Sequence, residues 1–475
     1  MLRSYLGIAA AKIIRKTLRL MGKGATTLPG KTAIKISPDV IRKSAEGKTI
    51  ITVTGTNGKT TTSHMISEML TSLGYEVINN ISGANLASGI ATTLICDGSK
   101  NKNAVYVLET DEAAFAKIAG SLKPTVSVVT NLFRDQLDRY GELTHTRDLI
   151  AGGIDKTDAT LILNSNDSLV ASLGKGRENR TVFFGLNKES MLKNSAYKKS
   201  STVLEASSDA VYCPTCQVKY EYKSRSFSHL GDFCCPKCGF KSPDDRFSVV
   251  YDLKSSPSDE GYKFSIQDSL NSESNEVELK IPGSHNLYNT CAAVSAVTVL
   301  LEKLNSNSKD SFKSACEASC KVKAAFGRME KIDIGGKKIC ILLVKNPAGL
   351  DRSLSFVTEA SDASSVMFLL NSNIADGKDV SWIWDVDFES KANDLPSDIY
   401  VSGERFGDML LRVTYAGRDI PSEFYGDMSN AMKLVEKALE KCEEGKCVYI
   451  LPNYTSMLKL REMLVHRFNL KDFWE

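Results

Sequence analysis

The sequence lacks an excess of charge of either sign, since 60 Lys and Arg residues nearly balance 57 Asp and Glu residues and leave a net charge of +3. So small a total gives no reason to expect nucleic-acid or membrane binding from the overall field. Apolar runs long enough to span a bilayer are also missing, as are internal repeats. With 475 residues of ordinary composition, the chain is expected to form two or three globular domains in the cytoplasm.

A disulfide framework is not indicated, although the chain contains 12 cysteines. Seven are scattered, and five lie between residues 213 and 238. In that cluster two CPxC knuckles are separated by eighteen residues, which is typical of a structural Zn²⁺ site with four thiolate ligands. The predicted ligands are Cys213, Cys216, Cys235 and Cys238, with Cys234 as an alternative ligand or a free neighbour. The flanking charges are too mixed to favour nucleic-acid binding by this ribbon.

The most informative segment present is TIITVTGTNGKTTT, residues 49–62, where an apolar strand runs into a glycine-bracketed turn and then a helix. Backbone N–H groups of such a turn point at phosphate oxygens, Lys59 adds a mobile positive charge and the Thr60 hydroxyl can ligate Mg²⁺. The general P-loop spacing is not met, because Val53 stands five residues before Gly58. We nevertheless predict ATP binding by Gly55, Thr56, Asn57, Gly58, Lys59, Thr60 and Thr61.

Strands alternate with helical segments from residue 48 onward, which predicts an α/β fold with a doubly wound, mostly parallel sheet. Ligands of such sheets bind beyond the carboxyl ends of the strands, where Glu109 and Asn131 also fall. Glu109 is the expected Mg²⁺ ligand across from Thr60. Asp111 and Glu112 either assist it or only complement a helix dipole.

The predicted domains are a basic lead-in at 1–45, an ATP-binding domain at 46–326 with a zinc-ribbon insertion at 205–245, and a C-terminal α/β domain at 327–475. The lead-in carries ten Lys and Arg residues between positions 1 and 43 against Asp39 alone, and its apolar residues recur at near-helical intervals. We expect a basic amphipathic helix that either packs with its charges in solvent or contacts an anionic membrane surface.

The phosphate turn TGTNGKTT is similar to that of Mur ligases and folylpolyglutamate synthases, which activate a carboxylate as an acyl phosphate for attack by an amine. Residues 282–296, PGSHNLYNTCAAVSA, resemble the adenine-facing segment of Mur ligases, which implies that Asn286 and Asn289 contact adenine and leaves His285 as a packing or capping residue. The segment GRME matches the family's hinge arginine, so Arg328 is expected to reach the phosphates or ribose when two domains close.

A narrower resemblance rests on NLFRDQLDRYGEL, the zinc ribbon, KNPAGL, NIADGKDVSWIWDVDFE and LPNYTSML. Together these stretches resemble the MurT family, the Mur-ligase-like subunits of lipid II isoglutaminyl synthase. The resemblance implies ATP- and Mg²⁺-dependent amidation of the α-carboxylate of D-glutamate in lipid II to D-isoglutamine. Ammonia would come from a GatD-like glutaminase subunit in a heterodimer. Metal ligation after Asp135 is not carried over, because Gln136 replaces the His of Mur ligases.

Three absences agree with this resemblance. Because the phosphate turn starts at Gly55, we expect no N-terminal UDP-binding domain of the Mur ligase type. No GxCxG-type segment supplies a glutamine-hydrolysing cysteine, so ammonia must come from elsewhere. The DYAHNP motif of Mur ligases reads LLVKNP here, with Leu342 in place of the Asp and Lys345 in place of the His.

By the same resemblance, Asp379 is expected to meet the partner and orient its catalytic His, completing a Cys-His-Asp arrangement. The alternative is an Asp that only stabilises its own loop. Trp382 and Trp384 are either interface anchors or core residues. Two rival functions remain open at this point: a ligase that adds an amino acid to a carboxylate, and a zinc-ribbon P-loop ATPase that binds nucleic acid.

Overall fold

The computed structural model describes residues 2–21, 25–80, 83–134, 143–193, 209–252, 261–281, 283–304, 310–322, 328–373 and 375–470. The chain divides into two compact units. The first is drawn from residues 1–133, 142–203 and 210–323, and the second from residues 134–141, 204–209 and 324–475.

A nine-stranded sheet forms the centre of the first unit, in the order β2-β3-β1-β4-β5-β6-β9-β10-β11. Its strands are β1 (Thr49–Thr54), β2 (Val77–Asn79), β3 (Val105–Glu109), β4 (Val126–Val129), β5 (Thr160–Asn164), β6 (Thr181–Leu186), β9 (Phe247–Val250), β10 (Tyr262–Asp268) and β11 (Glu273–Leu279). Pairing is parallel from β2 to β9, and the last two strands are antiparallel. The predicted mostly parallel α/β sheet is therefore confirmed.

Helices flank this sheet and bury its apolar strands. They are α1 (Leu2–Leu20), α2 (Leu28–Ile36), α3 (Val40–Ala45), α4 (Lys59–Ser72), α5 (Ala87–Cys96), α6 (Glu112–Leu122), α7 (Leu143–Ile154), α8 (Ser168–Ser172), α9 (Lys188–Lys193), α10 (His285–Leu304) and α11 (Ser311–Ser319). Strands β3 and β4 are buried along their whole length, as expected for parallel strands covered on both faces. Among the described helices, none has the length and apolar character needed to cross a bilayer.

Two antiparallel strands, β7 (Glu221–Phe227) and β8 (Leu230–Cys234), form a separate hairpin that emerges between β6 and β9. Its two flanking knuckles are closed by isolated bridges between Tyr212 and Lys219 and between Cys234 and Lys241. We call this hairpin with its knuckles, residues 211–241, the cysteine ribbon.

The second unit contains a five-stranded sheet in the order β12-β13-β16-β14-β15, with β12 antiparallel to β13 and the other neighbours parallel. The strands are β12 (Arg328–Ile334), β13 (Lys337–Leu342), β14 (Ala363–Leu369), β15 (Asp398–Ser402) and β16 (Cys447–Pro452). The helices are α12 (Pro347–Glu359), α13 (Phe406–Tyr415), α14 (Ala431–Lys441) and α15 (Tyr454–Phe468). Apolar clusters cover both faces of the sheet, so this unit is also α/β.

Candidate functional site

The turn between β1 and α4 requires glycine at two positions. Gly55 has φ 121° and Gly58 has φ 82°, which are conformations that side chains disfavour. A Cβ at Gly58 would lie 2.2 Å from Asn289 Oδ1, and one at Gly55 would lie 2.5 Å from Thr130 Oγ1. These two glycines thus let the turn lie against neighbouring polar side chains while its backbone N–H groups stay at the start of α4.

Lys59, the first residue of α4, is held inside this turn. Its ammonium group donates to the carbonyl oxygens of Gly55 and Thr56 and lies 3.3 Å from Glu112 Oε1. The Lys59 and Glu112 side chains are 9% and 8% exposed, so this is a buried ion pair. Glu112 therefore does more than complement the dipole of α6, because its carboxylate holds Lys59 in place.

The carboxyl end of β4 braces the turn from the side. Asn131 Nδ2 donates to the carbonyl oxygen of Asn57 at 3.0 Å, and its Oδ1 accepts from the Asn57 N–H at 2.9 Å. Thr130 Oγ1 donates to the same carbonyl at 2.7 Å. One step further, Thr56 Oγ1 donates to the Phe133 carbonyl at 3.1 Å and accepts from the Phe133 N–H at 3.0 Å. The turn is consequently fixed through its backbone and through Thr56.

Glu109 ends β3, the strand beside β1, and is 6% exposed. Asn85 Nδ2 donates to its Oε1 at 3.1 Å, and Asn80 pairs with its backbone N–H and carbonyl at 2.9 and 3.0 Å. A buried carboxylate and the Thr60 hydroxyl, both hard oxygen donors, fit the ligand preference of Mg²⁺. Asp111 instead caps α6 by accepting from the N–H groups of Ala113 and Ala114.

Asn286 and Asn289 lie in the first turn of α10, as a pair joined by a 2.9 Å hydrogen bond from Asn289 Nδ2 to Asn286 Oδ1. Asn289 Oδ1 accepts from Thr62 Oγ1 at 3.4 Å and faces Gly58. The structure thus brings these residues to the phosphate turn although more than two hundred positions separate them in the chain. His285 is half-buried at the start of the same helix.

The four predicted zinc ligands converge in the cysteine ribbon. The sulfur atoms of Cys213, Cys216, Cys235 and Cys238 all lie within 4.8 Å of one another. The Cys213–Cys238 and Cys216–Cys235 sulfur distances are 3.7 and 3.3 Å. Tetrahedral coordination with Zn–S bonds of about 2.3 Å spaces sulfurs by roughly 3.8 Å, so this cluster fits Zn²⁺. Burial raises the pKa of Cys213, but hydrogen bonds from the backbone N–H groups of Cys216 and Thr215 and from the side chains of Cys216 and Cys238 together lower that pKa to about 6.

The tip of the cysteine ribbon contacts residues that hold the phosphate turn in place. The His229 ring lies 4.7 Å from that of Phe133, and the Phe227 ring lies 6.0 Å from it. On the other side Ser226 Oγ is 2.6 Å from Tyr288 Oη, which belongs to the helix that carries Asn286 and Asn289. The ribbon therefore contacts residues that position both ends of the candidate nucleotide site.

Asp379 lies in the second unit, in the loop that follows β14, and is exposed. Its Oδ1 accepts from the Ser381 N–H at 2.8 Å. Hydrogen bonds from the Ser381 backbone and hydroxyl hold the pKa of Asp379 below its usual value. The loop is anchored by Asp376, which accepts from the backbone N–H and hydroxyl of Thr455 at the start of α15. Asp379 is thus a charged group presented on a fixed loop.

The two tryptophans that follow Asp379 in the sequence differ in burial. Trp382 packs against the core of the second unit, whereas Trp384 is 45% exposed. The Trp384 ring meets Tyr415 edge-on at 5.3 Å, and Tyr415 and Leu411 of α13 are 70% and 50% exposed. Trp384, Leu411 and Tyr415 form an exposed apolar patch, which we call the aromatic patch.

Comparison with known proteins identifies the family. Residues 53–233 match the model of the Mur ligase middle domain, and residues 343–457 match that of the MurT ligase C-terminal domain. The chain is 34% identical over 473 residues to the lipid II isoglutaminyl synthase (glutamine-hydrolyzing) subunit MurT of Streptococcus pneumoniae, covering 98% of each chain. The subunit of the same name from Staphylococcus aureus is 33% identical, covering 98% of this chain and 99% of the relative. The chain belongs to the MurT family. The resemblance seen in its motifs is thereby confirmed.

The fold is shared more widely than the MurT family. The structure of a pseudomurein peptide ligase type C from Methanothermus fervidus superimposes with a TM-score of 0.64 at 21% identity, over 90% of this chain and 81% of that one. At that identity the likeness concerns the fold alone.

Sequence reasoning on this MurT-family chain missed several supporting residues. Thr130 holds the turn, and Asn80 and Asn85 hold Glu109. The contact of the cysteine ribbon with Phe133 was also not predicted. The only signal for them was their place after apolar strands. Arg328 begins β12 of the second unit, and its role toward ATP stays a prediction. Asp135 and Gln136 lie outside the described residues.

Proposed function

We propose that this protein catalyses the ATP-dependent amidation of the α-carboxylate of D-glutamate in the lipid II stem peptide, giving D-isoglutamine. The observation that carries the proposal is 34% identity with a MurT subunit in an alignment that covers 98% of the chain, together with an intact phosphate turn. An oxygen of the acceptor carboxylate attacks the γ-phosphorus of ATP and releases ADP. Ammonia then attacks the acyl carbon and expels phosphate, so that the amide replaces the carboxylate.

The residues of the first unit have separate tasks in this scheme. The turn from Gly55 to Thr61 binds the phosphates, and Lys59 leaves its carbonyl partners to neutralise charge that develops on the transferred group. Thr60 and Glu109 would hold Mg²⁺, which supplies further charge neutralisation when bound. Asn286 and Asn289 bind on the adenine side.

The second unit is proposed to receive a GatD-like glutaminase subunit. Asp379 projects from a loop that Asp376 fixes, and its low pKa keeps it charged. A carboxylate in that state can hold a histidine of the partner in one tautomer, as the Asp of a catalytic triad does. The adjacent aromatic patch has the Trp and Tyr composition that is enriched at interface hot spots.

Zn²⁺ is proposed to occupy the four thiolates of the cysteine ribbon. A closed Cys₄ shell leaves no position for substrate, so the ion would stabilise the ribbon rather than act on the acceptor. A lipid-linked acceptor also places the working enzyme in the cytoplasm at the inner face of the membrane, where we propose a peripheral association.

The decisive test measures ADP release and amide formation on a D-glutamate-containing lipid II precursor, first with this protein and ammonium, then with glutamine. Product from ammonium but not from glutamine is expected, and addition of the glutaminase subunit should restore use of glutamine. Failure with ammonium together with turnover of a free amino acid would replace the proposal with an amino-acid-adding ligase.

A further inference from the structure

Helix α1 packs on the first unit through its small side chains. Its buried residues are Ser4, Gly7, Ala11 and Arg15. A Cβ at Gly7 would lie only 3.1 Å from the carbonyl oxygen of Ala33 in α2, so the two helices are in close backbone contact. At Gly7 the contact therefore needs a small residue and has no room for a larger side chain.

Polar contacts fix the rotation of α1 about its axis. Arg15 is 7% exposed and donates to the Ala25 carbonyl at 2.7 Å and to Asp97 Oδ1 at 2.6 Å. Near the other end, Ser4 Oγ lies 3.0 Å from Ser37 Oγ. The face that α1 turns outward is thus determined at two points along the helix.

The outward face is strongly apolar. Leu2, Leu6, Ile13 and Leu20 are 76%, 56%, 66% and 80% exposed. At about 100° per residue these four side chains fall within roughly 40° of one another, on the side opposite the buried stripe. Ile8, Ile14 and Leu18 of α1 are half-buried, but a helix that only completed a core would not leave four further large apolar side chains mostly exposed on one face.

Cations accompany this apolar stripe. Lys12, Lys16 and Arg19 are exposed and lie along one flank of it, and Lys31 and Lys35 are exposed on α2. Residues 1–43 contain ten Lys and Arg residues against one acid, although the net charge of the whole chain is only +3. Arg15 is buried and paired with Asp97, but the exposed cations of α1 lie beside its exposed apolar residues.

We infer that the outward face of α1, formed by Leu2, Leu6, Ile13 and Leu20 with the flanking cations, docks on an anionic phospholipid surface. An interfacial helix inserts its apolar side chains at the boundary of headgroups and acyl chains while its Lys and Arg residues meet lipid phosphates. The charge complementarity favours this occupant over a second copy of the chain, whose α1 would carry the same positive charge. The inference rests on the proposed function in one respect, since a lipid-linked acceptor gives the docking a purpose.

The experiment is co-sedimentation of the full chain with vesicles of phosphatidylglycerol mixed with phosphatidylcholine, and with vesicles of phosphatidylcholine alone. Binding to the anionic vesicles is expected, with weakening at high salt. The variant with Leu6→Ser, Ile13→Ser and Leu20→Ser should bind them at least about tenfold more weakly. The matched control is Leu270→Ser, which removes a leucine 69% exposed in the turn between β10 and β11 and should bind like the parent protein.

Fold and function are monitored separately from docking. The triple serine variant should keep its thermal transition and should amidate a water-soluble D-glutamyl peptide with ammonium at the parent rate. Equal vesicle binding by parent and triple variant would overturn the inference, as would self-association of the parent that the triple variant abolishes without any vesicle binding. Loss of amidation in parent and variant alike would instead count against the proposed function.

Discussion

At the carboxyl edge of the first sheet, the charged groups are buried and tied to one another, whereas at the corresponding edge of the second sheet the one proposed catalytic acid is exposed. Lys59 and Glu112 form a pair that is 9% and 8% exposed. In the second unit the edge residues Asn371, Asn453 and Thr455 satisfy one another, and Asp379 lies on the surface beyond them.

The difference shows how each site is completed. The first edge holds Lys59, Glu109 and Asn131 in place through hydrogen bonds and the Lys59–Glu112 ion pair, as a preorganised small-ligand site would require. The second edge fixes its loop, and we propose that the exposed Asp379 acts when another protein supplies the remaining groups. Substitutions at the two edges should therefore affect different half-reactions.

The broadest effect is expected for Lys59→Ala, because amidation with either nitrogen source needs the cation of the phosphate turn. Amidation with ammonium should fall by about 10²- to 10³-fold or more, because charge developing on the transferred phosphoryl group loses its neutralising partner. The rate of ADP release measures this directly. Lys48→Ala is a matched control, since Lys48 precedes the opposite end of β1 and donates to Tyr106 Oη at 2.7 Å. Equal losses in both variants would mean that stability, not phosphate binding, was measured.

Asp379→Asn should show that the two edges serve different reactions. In complex with the glutaminase subunit, this variant should lose glutamine-dependent amidation by about 10³- to 10⁴-fold, as expected when the orienting acid of a triad becomes an amide. Amidation with ammonium should be unchanged, because the first edge is intact. Asp394→Asn, at an exposed Asp of the same unit, serves as the control and should affect neither reaction.

The pH dependence of the glutamine-dependent rate provides a second test of the role of Asp379. Since hydrogen bonds from Ser381 hold the pKa of Asp379 below the ordinary 3.8, its carboxylate is expected to be charged above about pH 5. Any acidic limb of the glutamine-dependent rate above about pH 5 must therefore come from other groups. Wild-type glutaminase activity in Asp379→Asn would leave Asp379 as a residue that only stabilises its loop.

A smaller effect is expected where the cysteine ribbon supports the first edge. Phe227→Ala removes a ring 6.0 Å from that of Phe133, whose backbone holds Thr56. Affinity for ADP should fall about three- to tenfold, in line with the loss of one aromatic contact. Calorimetric titration measures this, and hydrogen exchange over residues 54–62 should rise in parallel. Lys237→Ala, at an exposed knuckle residue, is the control. Unchanged affinity and exchange would limit the ribbon to a local role.

Features that depend on residues close together in the sequence could be predicted, and features that depend on contacts between distant segments could not. The phosphate turn and the CPxC knuckles depend on residue types at fixed short spacings, so Gly55, Gly58 and the four cysteines could be identified from the pattern. Asn80 and Asn85 support Glu109 only because β2 and β3 are neighbours in the sheet, which no short motif encodes. Likewise, helical periodicity predicted α1 but not its inward face, because small residues such as Gly7 gain their importance from close contact with Ala33.

The smallest effect is expected for Glu404→Gln, at the second edge itself. Glu404 pairs with Lys459 at 3.0 Å, but the two side chains are 38% and 48% exposed, so the ion pair should contribute less than about 1 kcal/mol. A glutamine oxygen can still accept from Asn373 Nδ2, which now donates to Glu404 Oε2 at 3.1 Å. Denaturant unfolding and both amidation assays should therefore differ little from the parent protein. A selective loss of glutamine use in this variant would show that the second edge depends on its charge pattern as a whole and not on Asp379 alone.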